Sequence, residues 1–205
     1  HVSTLFGTIT VWRWLYRPVE GGPSIFPLEI RLGLARVLAD MGRLPEAETE
    51  ARKALLAGHA LSGPLGVETA FSVNALCDIF LRQGRFADVL KLTEKALANM
   101  EQAGAHPRSF VVNRLKLQRA RAHTALEDWP AASALFAGLE DALEESGGAF
   151  RAALAMEGAR ALAYHRSGQD VRATTAIAEE TAWKGRVFGA EAGETAEALT
   201  LAAAL

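Results

Sequence analysis

The 205-residue chain has almost none of the chemistry that staples or metallates a small fold. Cys77 is its only cysteine, which excludes an intrachain disulfide and a CxxC metal knuckle and suits a reducing compartment, expected here to be the cytoplasm. No apolar run reaches the roughly 18 residues of a membrane span; residues 5–16 come nearest and are interrupted by Arg13. Lys plus Arg number 22 against 24 Asp plus Glu, a net charge of −2. Without a basic excess, binding of nucleic acid along the surface is not expected. No HExxH, GxSxG, phosphate-binding glycine loop or Cys/His cluster occurs. Neither catalysis, a cofactor nor a metal is therefore expected.

What the chain does have is a period. A short turn recurs as Gly42-Arg43-Leu44-Pro45, Gly84-Arg85-Phe86-Ala87, Glu127-Asp128-Trp129-Pro130 and Gly168-Gln169-Asp170-Val171. The intervals are 42, 43 and 41 residues. Spacing of this kind marks a solenoid whose units bury their apolar faces only by stacking. Half of the residues are hydrophobic, alanine and leucine dominate, and prolines fall mainly at turns and element starts, so the units read as helix pairs. The fold expected is an all-α, right-handed solenoid. Its pairs cover residues 27–63, 64–104, 105–148 and 149–193.

Glu194-Thr195-Ala196 echoes Glu68-Thr69-Ala70 three periods later, so residues 194–205 read as the first helix of a fifth unit. Residues 1–26 read as a partial repeat or capping segment. Lattice spacing predicts a second helix over residues 3–17, with strand as the alternative because Thr8-Ile9-Thr10-Val11 is β-branched. As a helix, Trp12 and Tyr16 would share a face and cap the first unit. Both ends read as cut from a longer array.

In stacked hairpins the first helices line the concave side, and function is expected there. First-helix positions not needed for packing are Arg36, Asn74, Asp78, Arg82, Arg114, Arg121, His165 and Arg166, with Asp40 beside them. Five arginines against two acids suggest an acidic or carboxylate-ended peptide, which a guanidinium grips with two parallel hydrogen bonds. Asn74 offers both a donor and an acceptor to a peptide backbone. The ordinary alternative is that these are solvated helix residues. Cys77 and His123 read as packing residues rather than nucleophile or ligand.

The small residues Ala35, Cys77, Ala120 and Ala161 and the bulky Leu38, Phe80, His123 and Tyr164 recur at equivalent places. In this order the chain resembles the tetratricopeptide repeat (TPR). Its longer period, and Glu68-Thr69 followed by Val73-Asn74-Ala75-Leu76-Cys77, resemble the kinesin-light-chain-like variant common in bacterial multidomain proteins. The resemblance implies a noncatalytic scaffold that binds a protein or peptide in its groove, with Asn74 among the contacts. It also admits a sensor arm of a larger bacterial enzyme or transcription regulator, or a self-associating module. Asp78 departs from the carboxylate-clamp pattern of chaperone-binding TPRs, where an amide is expected. Arg119 and Arg160 fall where Leu34 and Leu76 stand, which puts the register of the last two units in doubt.

Overall fold

The computed structural model describes residues 2–4, 7–9, 28–142, 150, 154–155, 157–189 and 192–204. Two short strands, β1 (Val2–Thr4) and β2 (Gly7–Ile9), pair antiparallel with Val2 opposite Ile9. The helix expected over 3–17 is thus replaced by strand wherever that stretch is described, and the remainder lies outside the described residues. Val2, Thr4, Thr8 and Ile9 are β-branched, stiff at χ1 and suited to extended backbone.

Nine helices follow among the described residues: α1 (Leu28–Asp40), α2 (Leu44–Ser62), α3 (Val67–Arg82), α4 (Phe86–Gln102), α5 (Phe110–Ala125), α6 (Trp129–Glu140), α7 (Gly158–Arg166), α8 (Asp170–Phe188) and α9 (Gly193–Ala204). Each packs on the next in sequence, and α1, α3, α5 and α7 also pack side by side. That pattern is a solenoid of helix pairs, with the first helices forming one continuous wall. The all-α solenoid expected from the period is the fold observed.

The pairs are closed by one turn used four times. Gly42, Gly84, Glu127 and Gly168 hold φ between 59° and 76°. The residue after each donates its N–H to the carbonyl five positions back: Arg43 to Leu38, Arg85 to Phe80, Asp128 to His123 and Gln169 to Tyr164, each at 2.9 Å. This left-handed stop satisfies carbonyls that the helix end leaves open. Pro45 and Pro130 then start α2 and α6, where a missing N–H is harmless. A second device recurs at the entry to first helices. Thr69 Oγ1 donates to Gly63 O at 2.7 Å, and Thr195 Oγ1 donates to Gly189 O at 2.8 Å.

The small residues Ala35, Cys77, Ala120 and Ala161 are all buried, as the close approach of two helix backbones requires. Leu38, Phe80 and Tyr164 are buried one turn later, while His123 is half-buried and bonds Asp128 at 2.9 Å through Nδ1. Arg160 is a buried arginine at a place where leucine stands in the first two units. It is 2 % exposed, ion-paired to Glu140 at 3.0 Å and Glu179 at 2.7 Å, and donates to Ala176 O at 3.3 Å. The register therefore holds through α7: an arginine replaces leucine and brings its own carboxylates. Among the described residues, no helix is long and apolar enough to cross a membrane.

Candidate functional site: a concave groove across α1, α3 and α5

Packing dictates which side chains reach the concave wall. In α1, α3 and α5 one face goes to the neighbouring helices and leaves the remainder over a groove of about 700 Å³. Arg36, Asn74, Asp78, Arg82, Arg114 and Arg121 line it together. Leu32, Val67, Phe71 and Leu117 supply apolar wall. Phe71 and Phe110 stand with ring centroids 6.4 Å apart, and the Arg114 guanidinium lies 5.9 Å from the Phe110 ring.

The groove arginines divide into two kinds. Arg82 Nη2 pairs with Asp40 at 2.8 Å, and its Nε lies 3.6 Å from Asp78. Arg121 reaches Asp78 at 3.6 Å and grips Glu157 through Nη2 at 2.5 Å and Nε at 2.6 Å. The result is an alternating ladder, Asp40–Arg82–Asp78–Arg121–Glu157, running from α1 to the residue just before α7. Burial opposes the charge on Arg121, but Glu157 and then Asp78 outweigh it and raise its pKa. Arg36 and Arg114 have no carboxylate within ion-pair distance among the described residues. Burial, then the like charge of Arg121, lower the pKa of Arg114; Asp78 opposes this and Arg36 adds to it.

Asn74 is 6 % exposed, and its Oδ1 is buried with no hydrogen-bond partner among the described residues. Its backbone carbonyl accepts from Gln118 Nε2 at 3.5 Å. A buried amide oxygen without a partner is costly in a fold that gains nothing from it. His165 and Arg166 are not among the residues lining this groove. His165 Nδ1 lies 3.2 Å from Asp170 across the turn into α8, and Arg166 is exposed at the end of α7. Sequence reasoning did not find Glu157, which lies just outside a first helix, or the apolar wall of Val67 and Phe71.

Other chemistry is sparse. The Cys77 thiol is buried, and burial, then the nearby Asp78 carboxylate, push its pKa up to about 12, so it is neither a nucleophile nor a ligand near neutral pH. Among the described residues, no three His, Cys, Asp or Glu side chains are placed to hold a metal ion.

A row of helical hairpins with a 42-residue step and an open inner wall is the architecture of an α-solenoid interaction module. Residues 28–102, which contain α1 to α4, match the model of the tetratricopeptide repeat. The two hairpins of that stretch match the tetratricopeptide repeat, and the helix-pair architecture they begin continues through α9. The chain is similar in structure to the nearly identical TPR-like repeats of a Podosopora anserina protein of kinesin-light-chain type. The TM-score is 0.65 at 17% identity, covering 86% of this chain and 84% of that one. A form of the same protein carrying a single substitution gives the same values. That likeness is one of fold. No curated protein matches the sequence. Tetratricopeptide repeats as a class mediate protein–protein interaction and are generally noncatalytic.

Proposed function

We propose that the chain is a noncatalytic scaffold that holds an acidic peptide, or an acidic segment of a partner protein, in the groove across α1, α3 and α5. The observation that carries this reading is the company kept by Asn74: a buried amide oxygen with no hydrogen bond among the described residues, in the same groove as two arginines that have no carboxylate within ion-pair distance among those residues. A peptide N–H supplies the missing bond of the amide oxygen, and a carboxylate supplies the missing partner of a guanidinium. Arg36, Asn74 and Arg114 are the contact set. Asp78, Arg82 and Arg121 hold the wall in place.

Selection of peptides from a random display library on the full chain tests this. Enriched peptides should carry Asp, Glu or a terminal carboxylate. Their affinity should fall by about tenfold or more in Arg36→Glu/Arg114→Glu, with helicity unchanged, and should weaken as salt rises. Enrichment of neutral or basic peptides, or binding indifferent to the double change, would refute the reading.

A further inference from the structure

The inner wall repeats as the helices do, so side chains at one lattice place can be compared across units. Arg36, Asp78 and Arg121 stand at one such place on α1, α3 and α5, at intervals of 42 and 43 residues. An arginine in the middle would make the row wholly cationic. An aspartate stands there instead, in a groove that also holds Arg82 and Arg114.

The way Asp78 is held sets it apart from the other acids of the wall. Asp40 lies 2.8 Å from Arg82, and Glu157 meets Arg121 at 2.5 and 2.6 Å. Asp78 meets the same two arginines at 3.6 Å each, too long for a hydrogen bond. Its charge also acts on Arg114. Three guanidiniums therefore share a carboxylate that none of them hydrogen-bonds among the described residues. The Asp78 side chain keeps 38 % of its surface in water, and long contacts between charges this exposed add little to stability.

Asp78 stands one turn after Asn74 on α3, about 6 Å along the helix axis. An extended peptide covers that distance in about two residues. A ligand whose backbone meets Asn74 therefore passes Asp78 about two residues away. Its first acid takes Arg36 and Arg114, while Arg82 and Arg121 already hold Asp40 and Glu157. A second acid nearby meets the Asp78 charge with no cation left to receive it. We propose that Asp78 is the specificity-determining residue of the groove: it admits one isolated acidic residue and rejects a run of acids. This rests on the acidic-peptide reading of the groove and adds the charge pattern that the ligand must carry.

The test uses fluorescein-labelled peptides enriched from the display library on the full chain. Each is remade with glutamate, and separately with glutamine, at every uncharged position in turn. The two side chains share a shape, so the ratio of their affinities isolates charge. Fluorescence anisotropy on the parent chain should show glutamate about tenfold weaker than glutamine at a position within a few residues of the peptide's own acid. In Asp78→Asn that ratio should fall to about one, and in Asp78→Glu it should persist, with helicity compared in all three. A residue that merely held the wall would weaken both peptides alike and leave the ratio unmoved. A ratio near one at every position on the parent, a result that needs no variant, would overturn the proposal. So would a ratio unchanged in Asp78→Asn, and either outcome leaves the acidic-peptide reading standing. Enriched peptides that carry no acid would refute that reading, and this proposal with it.

Discussion

Arg160 of α7 and Glu140 of α6 are joined at 3.0 Å across the boundary between two repeats, with the arginine almost wholly out of water and its carboxylate partners partly in it. A buried ion pair gains little over a well-packed apolar side chain, whereas removing one partner strands the other and leaves a void. Arg160→Leu restores the residue found at positions 34 and 76 and should change stability by about 1 kcal/mol or less. Arg160→Ala should lose about 2–4 kcal/mol. Urea unfolding of the two variants separates them.

Asn74 has the opposite character. Leu32 and Leu117 hold its lattice position in the neighbouring first helices. Replacing it by leucine removes a buried amide oxygen that has no partner, so Asn74→Leu should stabilise the chain by about 1–2 kcal/mol. The same substitution should abolish capture of the selected peptides. Stability and binding measured on one sample test both, and a destabilised variant would contradict the description of this site.

Glu127 sits at φ 59° where the other three turns have glycine. Space is not the constraint, since a Cβ at Gly42, Gly84 or Gly168 would meet nothing within 4 Å. The backbone angle alone sets the effect. Glu127→Gly should raise stability by about 1 kcal/mol, and Gly84→Ala should lower it by a similar amount. Urea midpoints at unchanged slope would show this.

Cys77 gives a pH prediction. Its folded pKa, raised to about 12, exceeds the ordinary thiol value of 9.0. The unfolded chain therefore loses the proton first as pH rises. The stabilising contribution is complete below the ordinary thiol value and is lost as pH climbs towards the folded one. Stability measured at about pH 8 and about pH 10 should diverge more for the parent than for Cys77→Ala. In the native state the thiol should resist alkylation until the chain unfolds.

The period, the helix pairs and the buried small residues were legible because each depends on local spacing. Glycine at a left-handed stop and alanine at a tight crossing leave their mark in any sequence with this repeat. Six of the eight candidate groove residues lie together because the same spacing fixes which face of a first helix is left over. The charge balance of the groove was not legible. Arg121 reads as a free cation until Glu157, 36 positions away, is placed against it, and Arg82 until Asp40 is. Such pairs depend on how one unit sits on the next, and a lone arginine in the sequence looks the same with or without its acid. Arg160 illustrates the same point from the core, where it resembles an error of register until Glu140 and Glu179 are seen beside it.

The ladder from Asp40 to Glu157 ties the first helices together by charge along the trough, beside the apolar cluster that joins α1, α3 and α5. Side chains at four of its five positions keep 30 % or more of their surface in water, so dissolved ions screen them while leaving the hydrocarbon seam untouched. Added salt should therefore weaken this charged seam along the trough before it touches the apolar packing that keeps the chain folded.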